Sequence, residues 1–153
     1  MLPRLGAVLA ALALLASLSA CDSRQAPSGK WQGALYDGKW LVTVRLEITA
    51  GNLVRVSAPN LHANFQGMSE EDREQSWVAI TRTLDRQFRE ATSGHVRMEG
   101  NEIIREEGYA PMFSLDARSG EMLFYFYGDG TLTHRISLQR VPEFSQLSRP
   151  KGL

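Results

Sequence analysis

The chain has 153 residues, 17 acidic and 17 basic side chains, and one cysteine. A net charge of zero gives no electrostatic basis for binding nucleic acid, whose protein partners are usually basic, and a lone cysteine excludes a framework of internal disulfides. The length suits one domain with a hydrophobic core of its own.

The N-terminal residues have the three parts of a secretory signal peptide. Arg4 supplies a basic start, residues 5–16 are apolar, and Ser19 and Ala20 are small residues at the cleavage side. The apolar run is shorter than the roughly 20 residues that a membrane-spanning helix needs. We therefore expect residues 1–20 to be a leader that is removed. An ordinary secretory signal with a chance cysteine and an uncleaved N-terminal anchor are the alternatives.

Cys21 directly follows Leu18-Ser19-Ala20, and this four-residue string resembles the lipobox of bacterial lipoproteins. The resemblance implies cleavage before Cys21, a diacylglyceryl group on its sulfur and a third fatty acyl chain, such as palmitate, on its new amino group. Two or more acyl chains hold a protein stably on a membrane. The resemblance thus implies a lipoprotein of the cell envelope that faces the periplasm.

Asp22 bears on which membrane carries the anchor. An aspartate directly after the lipidated cysteine resembles the inner-membrane retention signal of enteric bacteria, so the inner membrane is expected rather than the outer one. Residues 21–29 are expected to form a lipidated tether. The eight residues from Asp22 to Gly29 reach at most about 26–29 Å, at roughly 3.3–3.6 Å per residue.

The first half of the following domain has the pattern of an antiparallel meander. Apolar and polar residues alternate over 40–48, which indicates a strand with one buried face. Asp37-Gly38 before this strand and Gly51-Asn52 after it are typical of tight hairpin turns. Three consecutive strands over 31–36, 40–48 and 53–57 are therefore predicted.

One amphipathic helix is predicted after the third strand. Ser69 and Asp72 resemble a capping box, and Gly94 is expected to end the helix. One apolar stripe follows the helical period; its members are Trp77, Ile80, Leu84, Phe88 and Ala91. We expect this stripe to cover the outer face of the aromatic strand over 122–127, because both faces of that strand are apolar or amphipathic.

Five further strands are predicted, over 95–98, 103–106, 112–117, 122–127 and 132–141. Tight turns between neighbouring strands require antiparallel pairing. The predicted fold class is α+β, a curved antiparallel β-sheet or partial barrel of about eight strands with a single helix inserted after the third strand. Residues 30–141 form this single β-rich domain, and the polar residues 142–153 are expected to be a flexible C-terminal tail.

Gly29-Lys30-Trp31 at the start of the first strand is similar to the Gly-x-Trp that opens the lipocalins and related calycin barrels. The resemblance implies that Trp31 plugs one barrel end and that an arginine of the last strand, Arg135 or Arg140, lies over its ring. The chain departs from that pattern because lipocalins carry their helix after the strands. The alternative is a core tryptophan at the start of a strand.

His134 lies on the apolar face of the last predicted strand. A histidine there could form hydrogen bonds in the core or at a rim, bind a ligand, or titrate near neutral pH. No set of further ligands that a metal needs is apparent in the sequence, so no metal or cofactor is expected. Residues 57–68 form a long loop that contains His62 and Phe65, and such loops often carry function.

No catalytic motif such as Gly-x-Ser-x-Gly or His-Glu-x-x-His occurs in the sequence, so a non-enzymatic protein is predicted. The first hypothesis is a lipid-anchored periplasmic binding or accessory module that meets a protein partner in the envelope. The alternative is a small-ligand carrier or sensor with a calycin-like cavity, and an envelope enzyme is the third. The candidate binding residues are Trp31, His62, Phe65, Tyr125 and His134.

Overall fold

The computed structural model describes residues 25–116 and 118–153, which contain nine strands and one helix. The predicted leader, Cys21 and Asp22 lie outside the described residues. The elements in chain order are β1 (Gly29–Tyr36), β2 (Trp40–Thr49), β3 (Leu53–Ser57), β4 (Asn60–His62), α1 (Glu70–Glu90), β5 (Gly94–Glu99), β6 (Glu102–Arg105), β7 (Pro111–Leu115), β8 (Met122–Gly128) and β9 (Thr131–Val141).

Eight of the strands close into an antiparallel barrel. Their order around the barrel is β1-β9-β8-β7-β6-β5-β3-β2, and β2 pairs again with β1. The barrel closes where β1 pairs with β9. This pairing extends from Lys30 opposite Val141 to Gln32 opposite Gln139. The structure confirms the predicted antiparallel β-sheet of about eight strands with a single helix, and it corrects the partial barrel to a closed one. Closure joins the first and last strands, which would otherwise be free edges.

Gly33 allows β1 and β9 to approach each other closely. A Cβ atom at this position would lie 2.7 Å from the carbonyl oxygen of Ser137 and 2.9 Å from Cδ2 of Leu138. Both distances are shorter than ordinary van der Waals contacts of a Cβ atom. A residue without a side chain is therefore required at the point where the barrel closes.

Alternating residues of the strands point into the barrel and fill it. The buried interior is apolar and aromatic, with Trp31, Val44, Leu46, Ile103, Phe113, Met122 and Phe126 among its members. Removing one such side chain from water contributes about 1.5–3 kcal/mol before conformational entropy is counted. The regular alternation over 40–48 predicted β2, and the structure confirms that strand.

The turns divide the barrel into two ends. The β1–β2, β6–β7 and β8–β9 turns lie at one end, which we call the mouth. The β2–β3, β5–β6 and β7–β8 turns lie at the other, which we call the closed end, together with the start of β1 and the end of β9. The short strand β4 extends the mouth, because it pairs with the first residues of β2, Trp40 to Val42.

Helix α1 begins and packs much as the sequence predicts. Ser69 is the N-cap, and its Oγ accepts a hydrogen bond from the N–H of Asp72 at 3.1 Å. The stripe buries four side chains, namely Trp77, Ile80, Leu84 and Phe88. The helix ends at Glu90 rather than at Gly94, and it follows the short strand β4 rather than β3.

The helix lies across β2 and β3, not across β8 as the sequence analysis expected. Leu41 on the outer face of β2 is fully buried against the helix, and Arg45 of the same strand pairs with Asp85 of α1. On β8, the outward ring of Tyr125 lies under the guanidinium of Arg135 at 5.1 Å. A neighbouring side chain of the barrel, rather than the helix, thus covers Tyr125.

Residues 142–153, which we call the C-terminal strap, run back along the outside of the barrel. The ring of Phe144 packs edge-on against Phe88 of α1, with ring centroids 4.7 Å apart. Ser145 and Gln32 are joined by two hydrogen bonds of 3.1 and 3.2 Å. Although the sequence predicted a flexible tail, in the structure this part of the strap packs against both the helix and β1.

The end of the strap completes a second apolar cluster between α1 and the barrel. Leu147 and Leu153 are each 8% exposed and pack with Trp77 and Leu84. Arg149 forms ion pairs with acidic residues in the first turns of α1, Glu70 and Glu74. Leu147 and Leu153 are thus buried by an apolar surface that forms only when the helix packs on the barrel.

Candidate binding site at the barrel mouth

Trp31 and Arg140 fill the closed end. Trp31 is 2% exposed, and the Arg140 guanidinium lies 5.6 Å from the centroid of its ring. Arg140 also donates a hydrogen bond from Nη2 to the carbonyl oxygen of Ser28 at 2.9 Å. Of the two arginines considered from the sequence, Arg140 therefore takes the place over Trp31, whereas Arg135 lies on the outer face. Trp31 is a packing residue at this end of the barrel.

A cavity of about 540 Å³ opens at the mouth, between β3 and β5. These strands pair at Leu53 with His95 and at Val54 with Gly94. Nearer the mouth the seam between them is open, because the chain leaves β3 for β4 and α1 before it returns as β5. Residues 91–94, which connect α1 to β5, form one side of the opening.

The cavity has apolar walls and a polar rim. Val54, Val56, Val96 and Met112 contribute the walls and belong to the barrel core or pack against it. The rim carries both charge signs; its charged members are Arg105, Glu106 and Glu107. The volume lies within the range of about 300–1,000 Å³ that is usual for small-molecule sites. The arrangement suits a ligand with an apolar body and a polar group at the rim.

Arg97 holds one wall of the cavity in place from the outer side of β5. Its Nη1 donates hydrogen bonds to the carbonyl oxygens of Arg105 at 2.7 Å and Glu106 at 2.9 Å, and its Nη2 donates to that of Gly108 at 2.9 Å. Three hydrogen bonds from one guanidinium fix the β6–β7 turn, since hydrogen bonds from a charged donor are the stronger ones.

His134 and Asp37 form a pair at the mouth. The Nε2 atom of His134 lies 3.2 Å from Oδ2 of Asp37, and the side chains are 30% and 19% exposed. The other ring nitrogen, Nδ1, is buried and has no hydrogen-bond partner among the described residues. The structure thus favours the rim alternative for this histidine.

The Asp37 carboxylate also organises the β1–β2 turn. Its Oδ1 accepts hydrogen bonds from the backbone N–H groups of Trp40 at 2.6 Å and Lys39 at 2.7 Å. Burial raises the pKa of this carboxyl, but the two N–H donors and the charge of His134 together outweigh it, and the pKa lies below its ordinary value of 3.8. The turn is therefore built around an ionised Asp37 at neutral pH.

Trp40 joins the two histidines of the mouth through aromatic contacts. Its ring lies 4.6 Å from that of His62 on β4 and 5.2 Å from that of Phe126 on β8, measured between centroids. Phe126 is the cross-strand neighbour of His134. His62 and His134 thus belong to one rim of the mouth, and no pattern in the sequence indicates that Trp40 lies between them.

The exposed large apolar side chains that the structure describes share one end of the molecule. They are Leu61 on β4, Met68 before α1, Tyr109 in the β6–β7 turn, Tyr127 at the end of β8 and Leu132 at the start of β9. Tyr109 is 95% exposed. Apolar side chains clustered at one end are a common mark of a surface that binds something.

The remaining candidate residues lie away from the mouth cavity. Phe65 is 1% exposed and packs against Tyr36, whose hydroxyl accepts a hydrogen bond from the N–H of Phe65 at 3.1 Å. Tyr125 faces outward under Arg135. The five predicted residues therefore do not line one cavity, because Trp31, Phe65 and Tyr125 are packing residues in three different places.

The residues that form the walls of the cavity are not among those predicted from the sequence. The alternation on β3 and β5 marks Val54, Val56 and Val96 as inward-facing, which is the signal available from sequence. The alternation does not show whether an inward-facing residue is packed in the barrel core or lines a cavity. The distinction depends on where β3 and β5 separate, and this is a property of the barrel.

The fold and the mouth define a class of structure, a small closed β-barrel with an outer helix and a cavity at one end. No family model, curated protein or solved structure matches the chain. In the part of the chain that the structure describes, no group of three or more His, Cys, Asp or Glu side chains could hold a metal ion. Within the same residues, no helix is long and apolar enough to cross a membrane.

Proposed function

We propose that this protein is a lipid-anchored, non-enzymatic binding module of the bacterial cell envelope, held by acylated Cys21 with its barrel in the periplasm. The lipobox resemblance supports the anchor, and Asp22 favours the inner membrane. The observation that carries the binding module is the group of exposed apolar side chains at the mouth, among which Tyr109 is 95% exposed. Ala26, five positions after Cys21, is buried at the closed end, which fits a short tether between the proposed anchor and the barrel.

The mouth is the part of the barrel that we propose for binding. The Trp31–Arg140 pair fills the closed end, while the exposed apolar residues and the cavity lie at the mouth. A protein partner in the envelope is the occupant that fits the sequence hypothesis of a binding or accessory module. Exposed aromatic side chains such as Tyr109 are the kind that contribute most at protein interfaces.

The anchor is tested by Cys21→Ser in the full chain. We expect the substitution to leave the leader uncleaved or the protein unlipidated, which mass spectrometry measures directly, and to change its fractionation with membranes. Ser19→Ala is the matched control, because it keeps a small residue in the lipobox and should be processed normally. Unchanged processing and unchanged membrane association of Cys21→Ser would refute the proposal.

A small-ligand carrier or sensor is the second candidate, and the mouth cavity favours it. Its apolar walls and mixed rim suit an amphipathic molecule of modest size. This carrier would not use the lining expected from sequence, because Trp31 and Tyr125 lie elsewhere. The relevant residues are Val56, Val96 and Met112 on the walls and Arg105 on the rim.

The carrier is tested with anilinonaphthalene sulfonate, a fluorescent probe with an apolar body and one polar group. We expect saturable binding by the native protein and at least a tenfold weaker affinity for Val56→Trp, which fills the cavity. Ala79→Trp on the exposed side of α1 is the control for an added indole. Equal affinity of both variants and the native protein would exclude this cavity as the binding site.

A further inference from the structure

The start of the described chain also bears on how the barrel is oriented on its membrane. We infer that the closed end faces the bilayer that carries the anchor and that the mouth faces away from it, so a partner or ligand reaches the mouth from the aqueous side. The inference rests on the proposed acylation of Cys21. The partner of the closed end is the lipid surface itself.

Ala26 is fixed at the closed end by two observations. Its side chain is 6% exposed and belongs to the barrel core that also contains Trp31. Its backbone N–H donates a hydrogen bond to Oδ1 of Asn52, in the β2–β3 turn, at 2.8 Å. The predicted tether over residues 21–29 is therefore effectively shorter, because Ala26 is already packed at the closed end.

The reach of the remaining tether is smaller than the length of the barrel. Five residue steps join Cys21 to Ala26, and they span at most about 17–18 Å at roughly 3.3–3.6 Å each. Strand β9 has 11 residues. With a rise of about 3.3 Å per residue and the usual tilt of a barrel strand, it extends about 25–30 Å along the axis. A barrel with its mouth against the bilayer would need a longer tether.

Charge at the closed end does not provide a competing explanation. The turns there carry both signs, with Glu99, Asp116 and Glu121 beside Arg118, and the adjoining ends of β1 and β9 add Lys30, Arg140 and the nearby Glu143. Such a surface has no strong attraction to anionic lipid headgroups, which basic clusters require. The short covalent tether is therefore what orients the barrel, and the orientation should persist in high salt and on neutral lipids.

Energy transfer from two labelled sites tests the orientation. Acylated protein is purified from membranes and inserted into preformed phosphatidylcholine vesicles that contain an acceptor lipid. Cys21 has no free thiol once acylated, so a cysteine introduced by Ala50→Cys at the closed end or by Lys39→Cys at the mouth is the site that a thiol-reactive donor labels. We expect markedly higher transfer from position 50, with the same difference in high salt and in vesicles that contain phosphatidylglycerol.

The possible outcomes distinguish a wrong orientation from a wrong assignment of the lipid anchor. Equal transfer from both positions, or higher transfer from position 39, with Cys21 shown by mass spectrometry to be acylated, would overturn the orientation and leave the anchor intact. Cys21 without lipid would overturn the anchor, and the orientation with it. Circular dichroism of both labelled variants checks that the barrel is folded.

Discussion

The guanidinium of Arg140, in the last strand, lies 5.6 Å from the centroid of the Trp31 ring, in the first strand. The two residues meet because β9 closes the barrel on β1, with Trp31 directly opposite Arg140 in the register. Arg140 is exposed, and a cation over an aromatic face at an exposed site is worth about 0.5–1 kcal/mol. The pair is therefore both a plug of the closed end and a contribution to closure.

Replacing Arg140 with methionine should lower the free energy of unfolding by about 1–2 kcal/mol, because it removes the cation–π contact and the hydrogen bond to Ser28. Urea denaturation followed by tryptophan fluorescence measures the change. Gln139→Met, at the neighbouring exposed position of β9, is the control and should change stability by less than about 0.5 kcal/mol. Equal effects of the two substitutions would mean that the pair contributes no specific stability.

Gly33→Ala should destabilise the barrel by about 1–3 kcal/mol, since the added methyl group would force β1 away from β9. The control is Gly94→Ala, where an added Cβ has nothing within 4 Å. Thermal unfolding of both variants measures the difference in stability. A Gly33→Ala protein as stable as Gly94→Ala would contradict the close approach of the two strands.

Leu147→Ala should cost about 2–3 kcal/mol, because it removes a buried side chain between the C-terminal strap and α1. Amide hydrogen exchange should also accelerate in α1 more than in the barrel strands, since the strap holds the helix. Gln146→Ala, at the adjacent exposed position, serves as the comparison and should leave both measurements unchanged. Full protection of α1 in Leu147→Ala would show that the helix docks without the strap.

Acid should destabilise the folded protein by protonating the Asp37 carboxylate at the mouth. Its pKa in the folded protein lies below the ordinary value of 3.8, so its charge stabilises the fold above that value, and this contribution is lost as the pH falls through the lowered pKa. Asp37→Asn should therefore reduce stability by about 1 kcal/mol at pH 7 and make the fall in stability between about pH 4 and pH 2 shallower.

Chemical denaturation at a series of pH values measures that difference. Glu70 and Asp116 also have a lowered pKa, and they contribute to the acid response of both proteins. The comparison between native protein and Asp37→Asn therefore isolates the mouth carboxylate. If the free energy of unfolding depends on pH in the same way for both proteins, protonation of Asp37 is not coupled to folding.

Local signals in the sequence were sufficient to predict most of the elements. The alternation over β2, the Asp37-Gly38 turn and the Ser69 cap each depend on residues within one strand, turn or helix, and the structure confirms all three. The helical stripe likewise predicts the buried residues of α1. These features depend on backbone preference and periodicity, which act over a few neighbouring residues.

Local patterns in the sequence predict less of the candidate site than of the secondary structure. His134 was singled out because a histidine on an apolar face is unusual, and it does lie at the mouth, paired with Asp37. The pairing joins two residues far apart in the chain, so no spacing could indicate it. The cavity walls contain ordinary valines and a methionine, and nothing local distinguishes them from other core residues.

By itself, the sequence determined the helix and the strands other than β4, the turns, the buried stripe of α1 and the expectation of an anchor at Cys21. Tertiary structure alone decided that the barrel closes through β1 and β9, that α1 covers β2 and β3, that the strap packs, and that the cavity opens between β3 and β5. The physical reason is range. Local patterns reflect contacts along one element, whereas closure, docking and cavities depend on which distant surfaces meet.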